Sequence, residues 1–370
     1  MAKLRIGIVF GGRSGEHEVS LKSAQSVIGT LDPDHHELVF AGITKSGRWI
    51  IGPDAMEILH RAADARLLGS SDSAGSRPDP GGSILPPASF LESIDVVFPV
   101  LHGPFGEDGT IQGLFEMAGI AYAGCGVLAS AAGMDKILFK DVLNARGIAS
   151  APFVSCLRHE WISAPDSILN AAEKSFGYPM FCKPANLGSS VGISKCRSRE
   201  ELRAGIELAA EFDRRILIEM AVPNAREIEV SVLGNDNPEA SVPGEIIPSR
   251  EFYDYQAKYL DDGSTASRLI IPADLPEETS RSIRRMAIEA FEAVDGSGMA
   301  RVDFLVNAAT HDVFLNEINT IPGFTSISMY PKLWDATGLP YPRLIERLIE
   351  LAIERHTDRN RNRVAFRLEA

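Results

Sequence analysis

Two segments in the C-terminal part of the chain carry acidic side chains at a spacing that suits a metal ion. The segments MARVDFLV (299–306) and DVFLNEIN (312–319) both alternate as strands do, and a short turn joins them. If they pair as a hairpin, Asp303 lies opposite Glu317. Opposed residues have Cβ atoms about 4.5–5.5 Å apart, so two carboxylates placed in this way repel each other unless a cation lies between them.

The same register brings an amide oxygen to this face of the hairpin. It sets Arg301 opposite Asn319, on the side that carries both carboxylates. Two carboxylates and an amide oxygen suit Mg²⁺ or Mn²⁺, which prefer oxygen ligands. The alternative is a surface ladder in which Arg301 is only a counter-ion. The metal site is favoured because the other face is apolar and is predicted to carry Val302, Phe304, Phe314 and Ile318.

A loop of small residues in the middle of the chain indicates a phosphate site. In FCKPANLGSSVGISK (181–195) a predicted strand ends at Lys183, and a Gly- and Ser-rich loop leads to the next strand. Such loops present backbone N–H groups to phosphate oxygens, with the lysine as a point charge. The loop is not a Walker A motif, because no Gly-Lys dipeptide occurs in the chain. A simple hairpin is the alternative interpretation.

Three further segments have the composition of binding loops. EFYDYQAKYLDDG (251–263) interleaves aromatic and charged residues, although an ordinary packed loop is the alternative. GGRSGEHEVS (11–20) and HGPFGEDGTIQG (102–113) are Gly-rich turns, each followed by a predicted helix. The first of these lacks the G-x-G-x-x-G spacing of a dinucleotide site. A single histidine such as His102 is by itself more often structural than a ligand.

The elements that must position these segments indicate a chain of three domains. Residues 4–10 predict a strand that leads through a Gly-Gly turn into a helix over about 19–29, as in doubly wound sheets. Beyond Gly147 the pattern is α+β rather than alternating, and 370 residues exceed what a single core usually holds. The predicted domains are residues 1–125, 126–220 and 221–370.

Composition excludes several classes of partner. The chain has 37 Lys and Arg against 50 Asp and Glu, a net charge of −13, which argues against nucleic acid and against an anionic membrane surface. The apolar run near the N-terminus is too short for a signal peptide. Four scattered cysteines without a C-x-x-C motif suit free thiols in a reducing compartment. We therefore expect a cytoplasmic protein.

Taken in order, these segments resemble the D-alanine–D-alanine ligases of the ATP-grasp superfamily. The ordered set is highly specific although each motif alone is modest, and an insertion at 66–88 touches none of them. The resemblance implies an N-terminal Rossmann-like domain and a two-lobed ATP-grasp fold with ATP between the lobes. The motifs that carry it are GGRSGEHEVSL, HGPFGEDGTIQG, DK (135–136), KPANLGSSVG, YDYQAKYL, RVDF and NEINTIPGFTSIS.

This resemblance implies residues for the nucleotide and the metal ions. Lys136 and Lys183 would contact ATP phosphates, with Lys183 also near the adenine, and Lys258 would reach the γ-phosphate from a closing loop. Glu219 and Glu227 would bind adenine and ribose. Two Mg²⁺ (or Mn²⁺) ions would be held by Asp303, Glu317 and Asn319.

The implied reaction has two steps. The carboxylate of one D-alanine attacks the γ-phosphate to form an acylphosphate, and the amine of a second D-alanine then attacks its carbonyl and releases phosphate. Arg301 and the N–H of Gly323 would stabilise the oxyanion. The remaining implied site residues are Glu16 for the first amine, Ser328 for the second carboxylate, His102 in the substrate site, and Ser189 and Tyr259, which would join Glu16 in closing the site.

The resemblance also bears on the product, because family members that make D-alanyl-D-lactate depart from the tyrosine found here as Tyr259. It therefore favours D-alanyl-D-alanine, for peptidoglycan synthesis, and D-alanyl-D-lactate and D-alanyl-D-serine are the alternative products. Two other classes are less well supported. A nicotinamide-dependent oxidoreductase would need the missing glycine spacing, and a regulatory protein with an inactive ATP-grasp site would have lost Arg301, Asp303, Glu317 or Lys258. We expect a homodimer whose partners are D-alanine and ATP, with no nucleic acid and no membrane.

Overall fold

The N-terminal part of the chain forms a mostly parallel sheet in the order β3-β2-β1-β4-β5. The computed structural model describes residues 3–67, 82–188, 191–248 and 267–363. The strand β1 is buried on both faces, as parallel strands covered by helices are. Its strands are β1 (Leu4–Gly11), β2 (His36–Ile43), β3 (Trp49–Ile51), β4 (Val96–Val100) and β5 (Ala121–Tyr122). Its helices are α1 (His17–Ile28), α2 (Ala55–Leu67), α3 (Ala88–Glu92) and α4 (Thr110–Ala118).

Two helices lead from this sheet to a second, antiparallel sheet. The second of them begins at the cap Asp135, whose Oδ1 accepts hydrogen bonds from the N–H groups of Ile137 and Leu138. The two helices are α5 (Val127–Met134) and α6 (Lys136–Arg146). The sheet has the order β6-β9-β7-β8, with β6 (Phe153–Leu157), β7 (Met180–Pro184), β8 (Ser194–Cys196) and β9 (Arg215–Met220). Its helices are α7 (Arg158–Ser163), α8 (Pro165–Ser175) and α9 (Arg199–Phe212).

A third sheet, also antiparallel, has the order β13-β12-β10-β14-β15, with β11 paired to β10. Its strands are β10 (Ala225–Gly234), β11 (Glu239–Ala240), β12 (Gly244–Ile247), β13 (Arg268–Ile270), β14 (Gly298–Asn307) and β15 (Val313–Asn319). The helices in this part of the chain are α10 (Glu277–Ala293), α11 (Met329–Thr337) and α12 (Tyr341–Arg359). The mixed α/β and α+β class predicted from the sequence is confirmed.

The helix α12 follows the third sheet in the chain but packs largely against the first sheet. Its apolar side chains, Leu344 and Leu348 among them, belong to the same hydrophobic cluster as Ile8 and Phe98 of the first sheet. Each sheet falls within one predicted domain, whereas this cluster joins the first domain to the last. The division at residues 125 and 220 stays a prediction. In the described ranges, no helix combines the length and the apolar character that crossing a bilayer requires.

The hairpin of β14 and β15 has the predicted register at its functional end. Asp303 pairs with Glu317 and Arg301 with Asn319. Beyond Asp303 a bulge shifts the register, so that Phe304 pairs with Leu315. The prediction that Phe314 shares the apolar face was therefore wrong, because the extra residue, Asn316, moves Leu315 into the core instead.

Because of this bulge, we expect Leu315 to stabilise the fold more than Phe314 does. Replacing Leu315 by alanine is expected to lower the free energy of unfolding by about 2–5 kcal/mol, because its side chain is fully buried. Replacing the half-buried Phe314 by alanine should cost clearly less, although phenylalanine is the larger side chain. Denaturant unfolding of the two variants gives the comparison, and the reverse ranking would contradict the bulged register.

Candidate active site

A cavity lies where the first and third sheets meet the loop after β7. Seven of the predicted site residues line it together, although they lie far apart in the sequence. Its other lining residues come mainly from the segments 133–134, 187–188 and 318–322. The predicted residues that line it are Glu16, His102, Lys136, Arg301, Glu317, Asn319 and Gly323.

Other predicted residues lie beside this cavity or outside the described part of the chain. Ser328 precedes α11, and its Oγ lies 3.2 Å from where a Cβ on Gly323 would stand, so it borders the cavity wall. Four others do not line the cavity and lie on strands of the second and third sheets, namely Lys183, Glu219, Glu227 and Asp303. Ser189, Lys258 and Tyr259 lie outside the described residues, as does the segment 251–263.

Two glycines leave room for the carboxylate of Glu16. A Cβ on Gly103 would come within 2.8 Å of Glu16 Oε2, and one on Gly188 within 3.2 Å. Gly103 also has a φ of +76°, which favours glycine. Two of the three Gly-rich loops that the sequence singled out, one after β4 and one after β7, therefore meet at Glu16 of the third.

The guanidinium of Arg301 is held by two carboxylates. Its Nε lies 2.7 Å from Asp303 Oδ1, its Nη2 lies 2.6 Å from Asp303 Oδ2, and Nε is also 3.0 Å from Glu229 Oε2. Burial opposes its charge, but the two carboxylates outweigh burial and raise the pKa of Arg301 well above its usual value. Arg301 is therefore a fixed cation that borders the cavity.

The predicted metal ligands are neighbours, and the two carboxylates among them are paired with cations in this structure. Glu317 lies opposite Asp303, and Asn319 Nδ2 donates to Asp303 Oδ2 at 3.1 Å. Lys136 Nζ lies 3.8 Å from Glu317 Oε2. Among the described residues, no three His, Cys, Asp or Glu side chains gather as a metal site. The set of two carboxylates and one amide still suits Mg²⁺ by its donor chemistry.

The nucleotide residues form a buried network of charges. Lys183 Nζ lies 2.5 Å from Glu219 Oε1, while Lys140 Nζ lies 3.0 Å from Glu219 Oε2. Burial would raise the pKa of Glu219, but the two ammonium groups lower it to about 2. Burial also opposes the charge of Lys183, yet Glu219 raises its pKa. The bulge residue Asn316 completes the network, with its Oδ1 3.5 Å from Lys183 Nζ.

His102 links the first sheet to the segment after β15. Its Nδ1 lies 3.0 Å from the carbonyl oxygen of Ile321 and 3.7 Å from Glu107 Oε1, and its Nε2 lies 3.2 Å from Ser23 Oγ. Burial raises the pKa of Glu107 to about 7, helped by the charge of Glu16. Burial opposes protonation of His102, but Glu107 outweighs it and raises the pKa of His102. The histidine ring thus fixes the contact between two walls of the cavity.

Sequence reasoning missed four residues of this region. Glu229 had a signal, because it lies two residues from Glu227 on β10 and shares its side of the strand. Lys140 also had one, since it lies four residues after Lys136 on the same side of α6. Glu107 and Asn316 had none, because the burial of Glu107 and the bulge at Asn316 depend on packing between separate segments.

Comparisons with known proteins show which family the chain resembles. A family model described as D-ala D-ala ligase N-terminus matches residues 5–125, and one described as D-ala D-ala ligase C-terminus matches residues 142–350. The chain is 48% identical over 369 residues to a D-alanine–D-alanine ligase of Natranaerobius thermophilus, covering 99% of each chain. It is 49% identical to one of Acetivibrio thermocellus, covering 96% of this chain and 97% of the relative.

Solved structures show the same likeness over 95% or more of the chain. The D-alanine-D-alanine ligase from Coxiella burnetii superposes with a TM-score of 0.79 at 36% identity, covering 98% of this chain and 97% of that one. The VanG D-Ala:D-Ser ligase from Enterococcus faecalis superposes with a TM-score of 0.77 at 33% identity, covering 95% of this chain and 100% of that one.

Proposed function

The chain belongs to the D-alanine–D-alanine ligase family, and from this premise we propose how its cavity performs the reaction. It is an ATP-dependent ligase with the ATP-grasp fold, which joins two D-alanine molecules for cell-wall synthesis and releases ADP and phosphate. The observation that carries the proposal is that Glu16, Arg301 and Gly323 line one cavity although they come from different sheets and loops.

Glu16 holds the ammonium group of the first D-alanine. Its carboxylate is set between two glycines that leave space around it, and a carboxylate pairs well with an ammonium group. This orients the substrate carboxylate toward the γ-phosphate of ATP, which it attacks to form the acylphosphate while ADP leaves. Ser328, beside Gly323, would receive the carboxylate of the second D-alanine.

Arg301 and the backbone N–H of Gly323 supply positive charge where the oxyanion develops. The amine of the second D-alanine attacks the acylphosphate carbonyl, and the negative charge moves to its oxygen before phosphate leaves. Donors that are already fixed in place stabilise this charge without having to reorganise. Asp303 and Glu229 fix Arg301 in this way.

Lys136 and Lys183 bind the phosphates of ATP, with Glu219 and Glu227 toward the adenine and ribose. Both lysines are buried and keep carboxylate partners, and Lys136 also lines the cavity. Lys258 is proposed to reach the γ-phosphate. Asp303, Glu317 and Asn319 fit a site for two Mg²⁺ ions, which when bound would neutralise the phosphate charge.

Closure of the site must exclude water, because an acylphosphate hydrolyses readily. We propose that Ser189 and Tyr259 link with Glu16 for this purpose. The product D-alanyl-D-serine stays the alternative for the second subsite, together with D-alanyl-D-lactate. We also propose a homodimer and a cytoplasmic location; the four cysteines, all buried and without a disulfide, suit a reducing compartment.

An assay with ATP, Mg²⁺ and D-alanine tests the proposed function. We expect phosphate release that depends on D-alanine, with D-alanyl-D-alanine formed in equal amount. Parallel reactions with D-alanine plus D-serine or D-lactate measure the preference of the second subsite. Absence of D-alanine-dependent phosphate release would contradict the ligase activity, whereas a mixed product in excess would replace only the assignment of the second substrate.

A further inference from the structure

Lys140 is a fully buried lysine that the mechanism above does not use. Its side chain is 1% exposed, on the inner face of α6. Lysines are almost never buried to this degree unless they are paired, because removing an ammonium group from water is costly. Its Nζ lies 3.0 Å from Glu219 Oε2, donates to the carbonyl oxygen of Ala151 at 3.3 Å, and lies 5.7 Å from the ring centroid of Phe153.

The carboxylate that Lys140 contacts is shared with a phosphate-binding residue. Glu219 is 2% exposed, and its other oxygen lies 2.5 Å from Lys183 Nζ. If Lys183 were the only cation in contact with Glu219, the pair of them would carry no net charge and would attract a phosphate group only weakly. The second lysine leaves the three groups together with one positive charge.

The neighbouring charges do not replace this contribution. Lys136 is paired with Glu317 at 3.8 Å, and burial lowers the pKa of Lys136. Glu227 and Glu317 both act on Lys183 as further negative charges. Without Lys140, the carboxylates around Lys183 would therefore balance or outweigh the cations there.

We propose that Lys140 is a positioning residue of the nucleotide site: it neutralises Glu219 from inside the fold, so that Glu219 does not cancel the attraction of Lys183 for the phosphates of ATP. Lys140 itself does not touch the nucleotide. This inference rests on the proposed binding of ATP phosphates by Lys183. It predicts that the contribution of Lys140 depends on the charge of the ligand and hardly at all on the adenine ring.

Nucleotide binding to variants of Lys140 tests this inference. Lys140→Gln keeps a hydrogen-bond donor toward Glu219 but removes the charge, Lys140→Met removes both, and Lys140→Arg keeps the charge. With Mg²⁺ present, isothermal titration should show ADP binding weakened by about tenfold in the first two variants, as expected for one buried charge. Adenosine binding should stay within about twofold of the wild type, since adenosine carries no charge. The arginine variant should bind ADP nearly as well as the wild type.

Leu143→Ala is the matched control. Leu143 is fully buried on the same side of α6 and packs in a hydrophobic cluster that includes no residue of β9, the strand that carries Glu219. Its replacement should lower the melting temperature without changing ADP affinity, which separates loss of packing from loss of charge. If Lys140→Met does not fold, the ADP affinities of the Gln and Arg variants are enough to decide whether the charge of Lys140 contributes to nucleotide binding.

Two results would overturn the inference. One is wild-type affinity for ADP in Lys140→Gln, and the other is an equal loss of ADP and adenosine binding, which would indicate a structural role. Failure of the proposed function would look different, because the wild type would then release no phosphate with D-alanine, whatever the variants bind.

Discussion

Replacing Arg301 by lysine is expected to lower kcat by about 10²–10³-fold, with a much smaller change in the KM for ATP. Lysine keeps the positive charge but loses the planar fork that meets Asp303 with two hydrogen bonds and Glu229 with a third contact. The ammonium group would therefore not be held where the oxyanion develops. Since that charge develops only in the transition state, the loss should fall on kcat.

Arg226→Lys is the matched control for this substitution. Arg226 lies on the adjacent strand β10 and makes the same two-bond contact, with its Nε 2.8 Å and its Nη2 2.7 Å from the two oxygens of Glu245. It does not line the cavity. Steady-state kinetics of both variants should show a large loss of kcat for Arg301→Lys only. Equal, small effects in the two would refute the oxyanion role of Arg301.

Replacing Glu317 by glutamine is expected to reduce kcat by about 10²-fold or more and to raise the Mg²⁺ concentration needed for half-maximal rate. A neutral amide binds Mg²⁺ far more weakly than a carboxylate, and it would leave Asp303 as the one charged ligand of the set. The fold should persist, because the ion pair of Glu317 with Lys136 is long, at 3.8 Å, and partly exposed.

Metal binding gives a measurement that does not depend on turnover. With ADP present, electron paramagnetic resonance of free Mn²⁺ should show weaker binding to Glu317→Gln than to the wild type. Asp312→Asn, an exposed change at the turn of the same hairpin, should bind Mn²⁺ normally. Unchanged Mn²⁺ binding and an unchanged Mg²⁺ requirement in Glu317→Gln would leave Glu317 as a counter-ion of Lys136 rather than a metal ligand.

The register of the β14–β15 hairpin shows how far a local pattern can be taken. Alternation and a short turn are enough to place Asp303 opposite Glu317, and the structure confirms this pair. The register predicted from alternation was wrong beyond this pair, where Asn316 bulges and Leu315 takes the place predicted for Phe314 in the core. A bulge depends on what packs against each face of the strand, and here Asn316 turns toward Lys183 of another sheet.

The sequence missed Glu229 and Lys140 for the same reason, which is that their contacts depend on packing between separate elements. Glu229 and Lys140 each contact a residue that the sequence did indicate, Arg301 in one case and Glu219 in the other. Neither contact lies within one strand or one helix. Their partners are known only when β10 is placed beside β14 and α6 is placed against β9.

The sequence by itself determined the fold class, the ordered set of motifs and the chemical nature of the site, because strand alternation, Gly-rich turns and the choice of side chains are properties of short segments. Only the tertiary structure decided which charges meet. Arg301 is held between Asp303 and Glu229, and Glu219 is shared by Lys140 and Lys183. The physical reason is that a buried charge must find its partner in space, and packing between distant segments supplies that partner.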